Sequence, residues 1–146
     1  MYPFLNITYN SSTTKDRVWM NMWNPSEDLK RGMVISFWSP FNPELLAVKR
    51  IVAIEGDRVK TRGKYPFEYE DVPVGHVWVE GDNVEKKGEW SHDSNYYGPV
   101  SKSLIVGRVI GAVWPLGRRG WIRWEDWWGS ERVMEGVNTI EKVEFY

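Results

Sequence analysis

Short apolar runs that end at glycine- or proline-containing turns recur along the whole chain. Leu45–Ile54 runs into Glu-Gly-Asp, and His76–Glu80 lies between Pro-Val-Gly and Gly-Asp-Asn. Runs of this length, rich in β-branched and aromatic residues and bounded by turn residues, predict β-strands. Similar runs occupy residues 34–38, 58–62, 104–106 and 109–114. The pattern predicts a mainly β fold with a barrel-like core, and we expect residues 1–146 to form a single domain.

Helical spacing is limited to two segments, residues 15–22 and the tryptophan-rich tail. In the tail, Trp121, Trp124 and Trp128 have the i, i+3, i+7 spacing of one helix face. Such a face predicts part of the core or a docking face. The alternative is contact with a membrane surface or a partner, because indole rings are amphipathic.

Composition argues against several classes of function. The chain has no cysteine and only two histidines, so we expect no disulfide, no metal site and no cofactor. A formal net charge of −1 gives no basic field for nucleic acid. No run approaches the ~20 apolar residues that cross a bilayer, and no signal peptide opens the chain.

Lys49 is a lone lysine within the apolar run of residues 45–54. On a strand it would share a face with Ala47 and Ile51, opposite Arg50. Burial disfavours the ammonium form and lowers the pKa of a lysine from its reference value of roughly 10.4 by several units. A lysine with a lowered pKa can accept the proton of a serine hydroxyl that attacks an amide. Without other motifs, such a lysine is more often an edge-strand charge than a base.

Six short segments supply the missing context, in this order along the chain: Met1–Pro3, Gly32–Phe37, Lys49–Arg50, Gly56–Asp57, Gly81–Asn83 and Ser91–Ser94. Together they resemble the boxes of the signal peptidase I family of serine–lysine proteases. The last two segments are the most specific match. Asn95 stands where that family commonly has an arginine paired with the aspartate of the last box. This exchange is similar to the mitochondrial inner membrane branch of the family.

The resemblance implies a role for each matching residue. Lys49 is the general base, Ser91 orients the lysine amine, and Asp93 supports the loop, with a hydrogen bond to Asn95 in place of the salt bridge. The substrate is a precursor polypeptide bound as an extended strand beside the lysine strand. The residues that match the floor of its pocket are Met1, Leu5, Ala47 and Val48.

The resemblance also implies parts that lie outside this chain. In the family, the nucleophilic serine directly precedes the Met-x-Pro that Met1–Pro3 matches, so this polypeptide by itself is expected to be inactive. A transmembrane anchor is expected upstream, with the domain in the mitochondrial intermembrane space. There it would remove sorting or signal peptides as a heterodimer with a homologous protease, subunit 1. About twenty residues separate Asp57 from Val77, so the large insertion domain of bacterial enzymes is expected to be missing.

Two other classes of function stay open. One is a non-catalytic subunit that binds and stabilises a homologous partner protease. The other is a tryptophan-rich β-barrel binding module without protease ancestry, which would be favoured if Lys49 and Ser91 lay far apart.

Overall fold

The computed structural model describes residues 17–82, 92–114 and 116–137, which form two antiparallel sheets. The strands are β1 (Arg17–Asn21), β2 (Val34–Trp38), β3 (Leu46–Ile54), β4 (Arg58–Lys60), β5 (Tyr69–Asp71), β6 (His76–Glu80), β7 (Val100–Ser101), β8 (Ile105–Trp114), β9 (Gly120–Trp121) and β10 (Val133–Met134). One short α-helix, α1 (Ser94–Tyr97), follows β6. The described residues also contain four 3-10 turns: Lys102–Leu104, Leu116–Arg118, Trp124–Asp126 and Gly129–Arg132.

The larger sheet has the order β1-β8-β2-β3-β6-β7, with β9 also paired to β8, and the smaller one has the order β10-β4-β5. The predicted mainly β fold is confirmed. Within the described residues the larger sheet stays open between β1 and β7 and does not close into a barrel. The segment between β3 and β6 holds only the short strands β4 and β5, in keeping with the missing insertion domain.

Hydrophobic side chains are buried on both faces of the larger sheet because alternate residues of a strand point to opposite sides. In β6, Val77 and Val79 belong to one core cluster with Ile51, whereas Trp78 belongs to a second cluster with Val52. All five side chains are at most 3% exposed. The two core clusters pack on opposite faces of the middle of β3 and β6. These two strands carry the candidate site.

The helix considered for residues 15–22 is wrong where the structure describes it, because residues 17–21 form strand β1. Trp19 lies opposite Gly111 of β8. The side chain of Met20 fills the space where a Cβ of Gly107 would be, 2.4 Å from that position. Gly107 of β8 thus makes room for a large side chain of β1, and the pairing of β1 with β8 outweighs the weak helical spacing.

The helix considered for the tryptophan-rich tail is also wrong. Trp121 lies in β9, and Trp124 begins a 3-10 turn. Trp127 packs against the second core cluster, and a Cβ at Gly32 would lie 2.9 Å from the Trp127 Cβ. Trp128 is 82% exposed. In this tail, Trp127 therefore packs against the core, whereas Trp128 is exposed.

No helix in the described ranges has the length and apolar character needed to span a bilayer.

Candidate active site

Lys49 lies in the first half of β3, on the face that also carries Ala47 and Ile51. Both neighbours contact the first core cluster, and the lysine is half-buried. Burial lowers the pKa of Lys49 below its ordinary value, and the negative charges of Asp93 and Asp82 oppose this shift. The structure thus brings Lys49 and Asp93 into one electrostatic environment.

Arg50, the next residue, fixes the turn that follows β6. Its Nε and Nη2 donate to Asp82 Oδ1 and Oδ2 at 2.8 and 2.9 Å, and its Nη1 donates to the carbonyl of Gly32 at 2.7 Å. The side chain of Arg50 is only 7% exposed, so this two-pronged contact is shielded from water. It holds Asp82 at the end of β6, near Lys49.

Asp93 caps α1 and ties the loop to the end of β6. Its Oδ1 accepts hydrogen bonds from the backbone N–H of Asn95 at 3.0 Å and from Asn95 Nδ2 at 3.2 Å. Its Oδ2 accepts from the backbone N–H of Gly81 at 3.2 Å. Ser94 is fully buried and its Oγ accepts from the N–H of Val79 at 2.9 Å. The hydrogen bond expected between Asp93 and Asn95 is therefore present. The same carboxylate also accepts the backbone N–H two residues further on, as an Asx-turn does.

The electrostatic state of Asp93 is unusual for a carboxylate that accepts three hydrogen bonds. Burial raises its pKa above the ordinary value, and the nearby charge of Glu80 raises it further. The N–H groups of Gly81 and Asn95 and the charge of Lys49 act in the opposite direction. Two buried carboxylates this close disfavour each other's ionisation.

Glu80 is the second buried carboxylate of the site, with a side chain 5% exposed. Burial works against its ionised form, but hydrogen bonds and the charge of Arg132, with Trp78 and Asn95, outweigh it and keep the pKa of Glu80 below its usual value. Trp78 Nε1 donates to Oε1 at 2.9 Å, and Arg132 Nη2 donates to Oε2 at 2.5 Å. Glu80 is therefore ionised and paired.

The first half of β3 is paired on one side only among the described residues. β6 pairs with β3 from Arg50 to Ile54, while the preceding residues Leu46–Val48 are paired with β2 on their other side. In the described part of the chain, no strand lies against Leu46–Val48 on the β6 side. Leu46 is 42% exposed, and Ala47 and Val48 are half-buried. Ala47 and Val48, the two predicted pocket residues of this strand, thus border a strand edge that has no β partner on this side within the described residues.

Three of the predicted site residues lie outside the described residues: Met1, Leu5 and Ser91. The roles assigned to them therefore stay predictions. The described ranges contain no group of three or more histidine, aspartate or glutamate side chains arranged to hold a metal ion.

Sequence reasoning missed two members of the site, Glu80 and Arg132. Glu80 ends a predicted strand and shares a face with Trp78, whose buried indole N–H needs an acceptor. That pairing was a usable signal. Arg132 comes from the distant C-terminal segment, and nothing in its local sequence indicates this contact.

The chain belongs to the signal peptidase family, peptidase S26, whose model matches residues 6–66 and 61–114. Two relatives named mitochondrial inner membrane protease subunit 2 match most of the chain. The one from Schizosaccharomyces pombe is 41% identical over 87% of this chain and 67% of its own length. The one from Danio rerio is 43% identical over 81% of this chain and 61% of its own. The resemblance to the mitochondrial branch is confirmed.

A human protein named mitochondrial inner membrane protease subunit 1 is 38% identical over a smaller share, 65% of this chain and 56% of its own length. A crystal structure of a signal peptidase I from Enterococcus faecalis V583 superposes with a TM-score of 0.44 at 23% identity, covering 56% of this chain and 96% of that one. The chain spans about two thirds of the length of the two subunit 2 relatives.

Proposed function

We propose that this chain is the peptidase domain of a serine–lysine endopeptidase that removes sorting or signal peptides from precursors delivered to the mitochondrial intermembrane space. The observation that carries the proposal is the half-buried Lys49, whose pKa is lowered by burial, close to the charges of Asp93 and Asp82. Membership of the signal peptidase family supports the same class of reaction.

In the proposed reaction a serine hydroxyl attacks the scissile carbonyl carbon while Lys49 Nζ takes up the hydroxyl proton. The tetrahedral oxyanion collapses, the C–N bond breaks, and Lys49 returns the proton to the leaving amine. Water then hydrolyses the acyl-enzyme ester with Lys49 again as base. Ser91 orients the lysine amine, and Asp93 supports the loop through the bonds described above.

The substrate is proposed to bind as an added strand along Leu46–Val48. Main-chain hydrogen bonds to this edge provide affinity, and side-chain pockets provide selectivity. Ala47 and Val48 would line these pockets together with Met1 and Leu5. No described strand pairs with this edge on the β6 side, which supports this placement.

The serine is proposed to precede Met1 in a longer polypeptide, with a membrane anchor further upstream and the domain facing the intermembrane space. Residues 1–146 without that serine are then expected to be inactive. The relatives' names, which refer to a mitochondrial inner membrane protease, support this location.

A heterodimer with a homologous subunit 1 is proposed as the working form. Exposed indoles favour such a contact. Trp19 and Trp121 are 57% and 72% exposed, and their ring centroids lie 6.3 Å apart. The same surface supports the alternative function, in which the chain is a non-catalytic subunit that stabilises its partner.

Replacement of Lys49 tests the catalytic proposal. In a polypeptide that carries the serine before Met1, reconstituted with its partner, Lys49→Ala is expected to reduce kcat for precursor cleavage by on the order of 100- to 10,000-fold, the range for loss of a general base. Lys49→Arg should fail nearly as badly because a guanidinium keeps its proton. The measurement is single-turnover cleavage of a purified precursor.

Ser91→Ala is the graded control and should keep measurable activity, because it removes an orienting hydrogen bond and leaves the base in place. Near-normal turnover by the Lys49→Arg enzyme would place the base elsewhere. If Lys49→Ala leaves processing intact and still co-purifies with subunit 1, the non-catalytic alternative is correct.

A further inference from the structure

The pair formed by Arg132 and Glu80 joins the C-terminal segment to the end of β6. Arg132 closes the 3-10 turn Gly129–Arg132, and its side chain is 19% exposed. Besides its contact with Glu80, Arg132 Nη1 donates to the carbonyl of Lys60. The guanidinium is thus held by the smaller sheet and directed into the site on the larger one.

Asn95 connects this pair to Asp93. Its Nδ2 donates to Asp93 Oδ1 at 3.2 Å, and its Oδ1 accepts from the backbone N–H of Arg62 at 2.7 Å. The same amide is near enough to the Glu80 carboxylate to help lower the pKa of Glu80. One amide therefore faces two buried carboxylates, Glu80 and Asp93, and its contact with Arg62 fixes its orientation.

Two carboxylates that face one amide are stable there only if one of the two charges is compensated, because uncompensated carboxylates in a low-dielectric site repel each other strongly. Asp93 accepts only N–H groups in the described ranges, whereas Glu80 accepts from the guanidinium of Arg132. The guanidinium of Arg62 also lies 3.6 Å from Glu80 Oε2, but it is more exposed than that of Arg132 and makes no hydrogen bond to Glu80, so Arg132 is the main counter-charge. The arrangement around Asp93 consequently depends on a cation that does not contact Asp93 itself.

We propose that Arg132 is a positioning residue of the active site: by neutralising Glu80 it allows Asn95 to keep its hydrogen bonds to Asp93 next to a second carboxylate, and so holds Asp93 near Lys49. The inference rests on the proposed peptidase function. Arg132 contacts neither substrate nor reacting atoms and acts through Glu80 and Asn95.

The test compares Arg132→Gln with the wild-type enzyme in the serine-containing, partner-bound form. A misplacement of about 1 Å near a reacting group costs on the order of 100-fold in rate, so kcat should fall by roughly 10- to 100-fold. The acid-side limb of the pH profile of kcat/KM should move to lower pH. The groups facing Lys49 are Asp93 and Asp82, and a receding Asp93 charge would no longer raise the pKa of Lys49.

Two further variants separate positioning from simple loss of structure. Arg132→Lys keeps the charge and should retain most of the activity. In the double variant Glu80→Gln/Arg132→Gln the carboxylate that needs compensation is gone, so kcat should recover most of the loss. Arg58→Gln, which removes an exposed ion pair with Asp71 on the smaller sheet, is the matched control and should leave kcat and the pH profile unchanged.

The outcomes are distinguishable. If wild type does not cleave, or Lys49→Ala still does, the proposed function is wrong whatever Arg132 does. If both behave as expected but Arg132→Gln keeps wild-type kcat and pH profile, the positioning role is wrong. A folded double variant that is no better than Arg132→Gln would also overturn it. Should Arg132→Gln fail to fold by thermal unfolding, Arg132→Lys and the double variant decide the question by the same criteria.

Discussion

Two buried carboxylates, Asp57 and Asp93, accept hydrogen bonds from the backbone at the ends of the neighbouring strands β3 and β6, but the rest of their partners differ. Asp57 is 1% exposed and receives both prongs of the Arg31 guanidinium at 2.7 and 2.8 Å. It also accepts the N–H groups of Ile54 and Gly136 at 3.0 Å each. Asp93 is 6% exposed and accepts backbone and amide N–H groups alone among its described donors.

The difference in donors appears in the two pKa values. Burial would raise the pKa of Asp57, but the hydrogen bonds and charge of Arg31, with the two backbone N–H groups, more than compensate and lower it. For Asp93, burial prevails and the pKa is raised. Asp57 is therefore a compensated structural anchor between β3 and the C-terminal segment. Asp93 has no guanidinium partner in the described residues, and its N–H donors and the charge of Lys49 offset its burial only in part.

The largest effect on stability is expected for Asp57→Asn. The change breaks a buried ion pair and leaves Arg31 with a weaker partner, which should lower the free energy of unfolding by about 3 kcal/mol. Asp93→Asn should cost much less, because the introduced amide oxygen can still accept the N–H of Asn95 and no guanidinium loses its partner. Urea denaturation of both variants measures the two costs. Equal losses in the two variants would remove the distinction between anchor and site.

The pH dependence of stability is expected to differ in sign between the two positions. Asp57 has a folded-state pKa below its unfolded value of about 3.9, so its contribution is present above that pH and is lost as pH falls through the folded pKa. Asp93 has a raised folded-state pKa, so its contribution is present below about pH 3.9 and is lost as pH rises through the folded pKa.

Denaturation series between about pH 3 and pH 7 test these signs. The deficit of Asp57→Asn relative to wild type should shrink on acidification below about pH 4. The stability of Asp93→Asn relative to wild type should instead improve as pH rises from about 4 towards neutrality. Parallel curves for the two variants would show that both carboxylates are equally compensated.

The contrast also explains how much could be predicted from the sequence. Strand runs such as residues 34–38 and 76–80 were predictable because alternation and turn residues are local signals, and the observed bounds agree. Lys49 and Asp93 were singled out by the order of the family boxes, as base and as loop support, and not by any signal that placed them near each other. The Arg31–Asp57 and Arg132–Glu80 pairs were not predictable, because 26 and 52 residues separate the partners and charges elsewhere in the chain offer equally good matches. The tail was misjudged because helical spacing of indoles says nothing about Gly32, whose open space receives Trp127.

The smallest effect is expected at a third ion pair, which isolates the role of burial. Arg58 donates from Nε and Nη2 to the two carboxylate oxygens of Asp71 at 2.6 and 2.9 Å, the same two-pronged geometry as Arg31 with Asp57. The side chains of Arg58 and Asp71 both lie on the surface, 39% and 46% exposed. Water and salt therefore screen their attraction, and water solvates either charge when the other is removed. Arg58→Gln should therefore leave the urea midpoint unchanged within error, at low and at high salt. A loss comparable to that of Asp57→Asn would mean that donor geometry rather than burial sets the strength of these pairs, and the contrast between Asp57 and Asp93 would then need a different explanation.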